Sequence, residues 1–598
     1  MKTKKKLLSL LLVVVLMFSL SVTAFAAWGQ FQGNSSNNGL ISSSNVPVET
    51  PALTEAVELT HADDWTADSG LPGMDSTPIV VGDTAYVLYY GGSSDDDNGG
   101  VRISAVSLSD TPEEVWSTKV SGDLDVDNIS QLGTPYYDET KQTIYAPVTY
   151  SQNVFAGKTV TADSNGGSID SNGRISLPAG TTTCTFTINN VVIDGSSKMT
   201  YVPTGITVQA GQNISGEVSF TSVSSSSSSY AFGTSFGYEG YEFCLYNQTG
   251  DTVPAGTYTV KVTLRSNVAC TGTGSLRSVT PYWRLYMMRA FSNASSIALP
   301  AQISDASYVE GAGQFNTPIT GTTHNGHKYL YFGIYDGDRA YYQYDYTTAA
   351  QSSLKSFYYF RNGEGFYWAG AAVVGDSVYF GGEGGYVFKR PIGDTFGSAT
   401  NTYLYLSGDS GNAGGAIRSS ISYKDGYLYL TTKGGYLWKF EPSLSDSTAR
   451  WCKLTDSNFI VNTSSTPVIS DSGYVYAGGY NIVWNADGTS AYKGALKAVN
   501  TDTWTASGVV PITIWSAASN SAIQSSPVVY SDEGVDYIYF TTNGANGKAV
   551  CVGYDAENEE VLDGWTVSSG TYTLQGFAAS DNGYMTFGND NNQVFVLK

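Results

Sequence analysis

From Ser76 to the C-terminus, apolar and polar residues alternate in short runs separated by glycine-rich turns, a period of two that predicts β-strands. Ser76-Thr77-Pro78-Ile79-Val80-Val81-Gly82-Asp83 leads into Ala85-Tyr86-Val87, and the phrase returns as Ser465-Thr466-Pro467-Val468-Ile469 and Ser525-Ser526-Pro527-Val528-Val529. Two neighbouring copies run Tyr379-Phe380-Gly381-Gly382-Glu383-Gly384-Gly385-Tyr386 and Tyr429-Leu430-Thr431-Thr432-Lys433-Gly434-Gly435-Tyr436. Each reads as a strand, a turn able to take positive φ, and a second strand. No stretch after residue 30 keeps a 3.6-residue apolar period, so helix is minor.

Aligned on the residue before the proline position, the repeats anchor at Thr77, Thr134, Thr317, Gly370, Ser420, Thr466, Ser526 and Phe577. Most spacings are 46 to 60 residues, and that from 134 to 317 is 183. Units of this length with roughly four strands cannot bury their own apolar faces and must stack on neighbours, as propeller blades do. The expected fold is all-β: an eight-bladed propeller, with seven left open because Gly370 and Phe577 depart from the Ser/Thr pattern. Gly576–Lys598 supplies about three strands. The missing outer strand is placed near Val57-Glu58-Leu59-Thr60-His61-Ala62-Asp63-Asp64-Trp65, so that both chain ends seal the ring.

The long spacing marks an insertion between the second and third strands of blade two. Residues 152–281 are rich in Thr, Ser, Val and Gly, and contain alternating runs at Thr183–Ile188, Ile214–Phe220 and Gly256–Leu264. They predict a separate β-sandwich with a serine-run loop at Ser224–Ser229. The expected organisation is a signal peptide over 1–26, propeller over 27–151, sandwich over 152–281, and propeller over 282–598.

The leader has Lys2, Lys4, Lys5 and Lys6 before an apolar Leu7–Val22, then Ala24-Phe25-Ala26 as a cleavage site. A secreted, extracellular protein without membrane insertion is expected. Removing the leader takes the formal net charge from −22 to −26. That balance disfavours nucleic acid and anionic lipid as partners.

The opening Trp28-Gly29-Gln30-Phe31-Gln32-Gly33-Asn34, the Ser-Thr-Pro-Val strands and Ala498-Val499-Asn500 after a Gly-Ala-Leu resemble pyrroloquinoline-quinone-like (PQQ-like) repeat propellers. That family includes alcohol dehydrogenases, assembly scaffolds and surface proteins. Its dehydrogenases hold the quinone with Ca²⁺ and a disulfide of adjacent cysteines. Here Cys184, Cys244, Cys270, Cys452 and Cys551 are all separated, so the resemblance implies the non-enzymatic branch and no cofactor. It also implies that residues just before each first strand face the central funnel. These are Asp75, Gln131, Gln314, Trp368, Arg418, Gln524 and Gln575, a set of amides, one indole and one guanidinium suited to a sugar or an extended peptide.

Other chemistry is thin. His324-Asn325-Gly326-His327 has metal-pair spacing but reads as an Asn-Gly turn. Asp123–Asn128 opens like a Ca²⁺ loop but has Asn128 at position six and Thr134 at position twelve. It and Asp95–Asn98 read as solvated hairpin tips, and no metal site is assigned. Tyr342, Tyr344 and Tyr346 share a strand face that reads as packing between blades, with an exposed aromatic platform as the alternative. The expectation is a binding or surface-interaction module for a glycan or an extracellular protein. The alternative is a secreted carbohydrate-active hydrolase or lyase, then a PQQ-dependent dehydrogenase.

Overall fold

The structure is a computed structural model. It describes residues 28–59, 73–74, 76–90, 101–120, 133–151, 281–289, 308–335, 337–347, 351–359, 361–363, 365–406, 415–454, 461–484, 490–517, 521–544, 546–570 and 576–598, and the backbone of ten strands between 160 and 275. Eight antiparallel sheets of four strands or more follow one another along the chain as blades. Blade one is Ile79–Val81, Thr84–Tyr90, Val101–Ser107 and Glu114–Lys119. The first strands of blades three to seven begin at Thr320, Ala372, Ser422, Val468 and Val528. Helix is confined to short 3-10 turns among the described residues.

Blade eight is composite. Ala578–Ala579, Met585–Gly588 and Gln593–Leu597 pair in order, and Thr54–Glu58 adds the fourth strand antiparallel to Gln593–Leu597. The two ends of the chain therefore close the ring. The closing strand begins upstream of the segment expected from the sequence, sharing only Val57 and Glu58 with it. Leu53 and Lys598 exchange backbone hydrogen bonds just beyond the register, which fixes its start.

The repeated Ser-Thr-Pro phrase has two jobs. The first hydroxyl binds the second strand of its own blade: Ser76 Oγ donates to Leu88 O, and Ser525 Oγ donates to Thr541 O while accepting from Thr541 N. The second accepts the anchor N–H of the preceding blade: Thr77 N to Thr134 Oγ1 at 3.2 Å, Gly370 N to Ser420 Oγ, Ser420 N to Thr466 Oγ1 and Thr466 N to Ser526 Oγ at 3.0 Å each. Blade three breaks the alignment. Thr317 Oγ1 bonds Gly333 within its own blade, and Ile319 N bonds Thr134 O as Ile421 N bonds Gly370 O. The anchor of blade three is thus Pro318, one residue after the sequence alignment placed it.

The segment Trp28–Pro47 lies across the end of the ring where the first strands finish. Trp28 O, Gly29 O and Gln30 Oε1 accept from Val80, Tyr137 and Gly321 of blades one to three. Ser35 O and Ser36 O accept from Val373 and Tyr423 of blades four and five. Leu40 packs on the core that contains Val468 of blade six. Gly39 and Ile41 bracket Val529 of blade seven, and Ser43 Oγ donates to Asp581 O of blade eight. Gly39 has φ +61 and a side chain there would collide with the Gln32 amide, so only glycine fits. Sequence reading took this stretch for a family signature; it is a plug that touches every blade.

The second strand of blade two ends at Ser151 and the third starts at Pro281. Ten strands lie between them in three sheets of their own. The alternating runs at 183, 214 and 256 become neighbours in one four-stranded sheet, ordered Ile214–Ser222, Gly256–Ser266, Thr183–Ile193, Val160–Ala162. Face-to-face packing of those sheets, the serine run, the leader and both acidic loops lie outside the described residues. Tyr342, Tyr344 and Tyr346 are 7%, 0% and 1% exposed in the core between blades two and three, so they pack and form no platform.

Candidate functional site

In blades three to seven the anchor lies two residues before the first strand, and the residues two positions earlier still sit above it, at the ring end opposite the plug. A small cleft opens there, with an enclosed volume of about 20 Å³, room for about one water molecule. Phe31 of the plug, 4% exposed, lines its inner end. The walls carry the hydroxyls of Thr134, Thr466 and Ser526 and the ring of Pro318, which are the anchors. Asn316, Trp368, Arg418, Ser464 and Gln524 complete the lining, each two residues before its anchor.

Of the seven funnel positions expected from the sequence, Trp368, Arg418 and Gln524 line this cavity. Gln314 does not. Its backbone pairs with Tyr335 in an antiparallel bridge, and the shifted anchor of blade three brings Asn316 to the wall instead. Asp75, Gln131 and Gln575 lie outside the described residues. Sequence reading missed Asn316 and Ser464. The hydroxyl-latch pattern, had it been used to align Pro318, would have found Asn316.

Trp368 stands in the left-handed region at φ +57, a conformation disfavoured for a bulky side chain. Its indole N–H is shielded from solvent and has no partner among the described residues. Tyr367 packs against it at 4.8 Å between centroids, and Tyr335 meets Tyr367 edge-on at 4.8 Å. The Arg418 guanidinium lies 4.3 Å over the Tyr367 ring and forks onto Glu383, Nε to Oε1 at 2.8 Å and a terminal nitrogen to Oε2 at 3.0 Å. Its charge is neutralised inside the wall. Gln524 Oε1 accepts from Asn543 Nδ2 at 2.6 Å, which aims the rest of the amide. No carboxylate is among the described residues that line the cavity. Among the described residues the wall offers an aromatic ring, amides and hydroxyls, with no net charge.

The two histidines of the Asn-Gly turn diverge. Asn325 and Gly326 take φ +49 and +82, His327 Nδ1 meets Asp345 at 2.8 Å, and His324 faces Asp376 of the next blade at 3.8 Å. No cluster of three or more metal-ligating side chains occurs among the described residues. Cys452 and Cys551 are buried free thiols, and burial pushes Cys452 up to about 12 and raises Cys551 as well. Neither is a reactive centre at neutral pH. No described helix is long and apolar enough to cross a membrane.

Asp590 has no counterpart in the sequence reading. It sits in the turn between the second and third strands of blade eight, next to Gly73 and Asn592. One carboxyl oxygen is enclosed without a partner among the described residues, and burial raises the group to about 7. A carboxyl raised on folding adds stability below its unfolded value near 3.8 and loses it as pH climbs through 7. Asp590→Asn is therefore expected to match the parent protein near pH 4 and to exceed it above pH 7.5 by roughly 2 kcal/mol, after allowance for partial solvent contact. Urea denaturation of both proteins across pH 4–8 checks this. Parallel stability profiles would remove the assignment.

No family model matches this sequence, and no curated protein matches it. Similar solved structures exist. A europium-containing methanol dehydrogenase aligns over 94% of this chain and 90% of its own, with 11% identity and a TM-score of 0.43. BamB from Moraxella catarrhalis aligns over 52% and 93%, with 12% identity and a TM-score of 0.29. A chain of the mitotic checkpoint complex aligns over 53% and 83%, with 11% identity and a TM-score of 0.34. Likenesses this distant carry no argument about function; the ring itself is established by the sheet topology above.

Proposed function

We propose that this protein is a secreted, non-enzymatic binding module of the PQQ-like propeller type whose axial mouth holds a neutral, hydroxyl-rich ligand, a glycan. Trp368 carries this reading. An indole on the wall of a cavity, set in a disfavoured backbone conformation, is a stacking surface. The Gln524 amide and the Ser464 hydroxyl supply donors and acceptors around it, with Asn316 and Thr466 buried behind them. Arg418 is already held by Glu383, so the mouth favours an uncharged ligand over an anion. The Lys-rich leader with its Ala-Phe-Ala site supports export, and the strands at 160–275 support a second module that we take to be a sandwich. The hydrolase alternative needs two carboxylates across the cleft; the described lining supplies amides and hydroxyls instead.

Titration of intrinsic tryptophan fluorescence with a panel of short neutral oligosaccharides tests the proposal. At least one should bind, and Trp368→Ala should weaken it by tenfold or more while leaving the melting temperature within a few degrees. Binding unchanged in Trp368→Ala, or no binding across the panel, would overturn the axial reading.

A further inference from the structure

A second aromatic surface lies at the rim of blade four. Its outer strand, Thr402–Tyr405, alternates with Leu404 and Leu406 buried toward blade five and Tyr403 and Tyr405 turned the other way, 42% and 41% exposed. Tyr386 stands beneath both, its ring centroid 5.5 Å from Tyr403 and 4.7 Å from Tyr405. Tyr359, at the end of blade three, meets Tyr386 and Tyr403 at 5.3 Å each. The two exposed rings are thus held by two better-buried ones and by Phe388 below, 5.2 Å from Tyr359. Exposed tyrosines fixed in this way lose little freedom on binding, and they offer flat faces with polar tips.

The rim and the axial mouth share one face of the ring. Tyr386 opens the third strand of blade four straight after its Gly382–Gly385 turn and pairs with Tyr405, the last residue of the outer strand. That end of the blade is where the connections to the next blades leave, and these connections carry the residues of the mouth. One connection joins the two sites directly, running from Tyr359 at the rim to Tyr367 and Trp368 at the axis. Asn362, 2% exposed, pins it: its N–H donates to Tyr359 O and its side-chain amide donates to Gly365 O, at 2.9 Å each.

We propose that the Tyr359, Tyr386, Tyr403 and Tyr405 cluster is a second subsite, for sugar rings of a neutral polysaccharide that runs from the axial mouth over blades three and four to the rim. The axial reading supplies the inner end of that path; the rim cluster stands on its own observations. Charge selects the occupant. The chain carries −22 overall, which repels polyanions, and the cluster itself is built of hydroxyphenyl rings, which offer stacking faces and hydrogen bonds but no carboxylate to hold a polycation. The neutral wall of the mouth points the same way.

Affinity electrophoresis of the full chain in gels cast with hydroxyethylcellulose, xyloglucan, galactomannan or, as an anionic control, polygalacturonate tests the inference. The protein should be retarded in at least one neutral gel. Tyr403→Ala/Tyr405→Ala should weaken that retardation about tenfold, with its melting temperature and its binding of short oligosaccharides at the mouth unchanged. Trp368→Ala should lose the short ligands and keep rim-dependent retardation. Retardation of the double variant equal to that of the parent overturns the rim subsite while the axial reading stands. Retardation by polygalacturonate alone, or in no gel, overturns it as well. So does self-association that the double variant abolishes without any effect in the gels, which would assign the tyrosines to contacts between copies of the chain.

Discussion

Asn37→Leu is expected to destabilise the ring by about 2–4 kcal/mol. Asn37 is 1% exposed and takes φ +49, a left-handed conformation that asparagine accepts more readily than leucine does. Its amide donates to Ala371 O at 2.6 Å and to Ile421 O at 2.9 Å, so it joins the first strands of blades four and five. Leucine fills similar volume but takes the donor from the buried Ile421 O, at about 1–3 kcal/mol, and leaves Ala371 O with the Thr320 hydroxyl alone. The change also disturbs Ser422 Oγ, which donates to Asn37 O at 2.8 Å. Chemical denaturation followed by tryptophan emission measures the loss. An unchanged midpoint would mean that the plug rests on the ring without holding it together.

The second large effect concerns closure. Val57 is the one buried residue of the strand Thr54–Glu58, and it packs into the core of blade eight opposite Val594. Val57→Asp places an unpaired carboxylate there, at a cost of about 3 kcal/mol or more. Detaching the strand also bares the backbone edge of Gln593–Leu597, a template for pairing with other chains. The variant should melt lower and lose its monomer peak in size-exclusion chromatography during storage. Glu55→Lys, on the exposed side of the same strand, should change stability by less than about 0.5 kcal/mol. Equal behaviour of the two variants would contradict the closure described here.

What was legible in the sequence follows from what repeats. The Ser-Thr-Pro phrase announced eight units because each hydroxyl makes the same local or nearest-blade hydrogen bond, and such bonds demand the same residue at the same spacing. The weak anchors have physical reasons. Gly370 and Phe577 carry no hydroxyl to accept the N–H of the blade before. Thr317-Pro318 mimics Thr77-Pro78 in letters, yet Thr317 does the work of Ser76; two residues before the anchor Pro318 stands Asn316, whereas the sequence reading took Gln314, three residues before Thr317. The plug stayed hidden because its partners are spread over the whole chain. Gln32 reaches Pro527 O, and Trp565 Nε1 donates to Pro47 O, with no periodicity to betray either. The rim tyrosines were hidden for another reason: Tyr403-Leu404-Tyr405 alternates as any outer strand does, and only exposure separates a packed ring from a presented one.

The strand that seals the ring, Thr54–Glu58, precedes its partner Gln593–Leu597 by the whole length of blades one to seven. During synthesis Trp28–Ser36 can dock on blades one to five as these emerge, while the sealing strand must wait unpaired for blade eight. Assembly is therefore all-or-nothing at the seam: a nascent chain truncated anywhere before blade eight keeps a loose leading arm and an unfinished sheet, both easy prey for a protease.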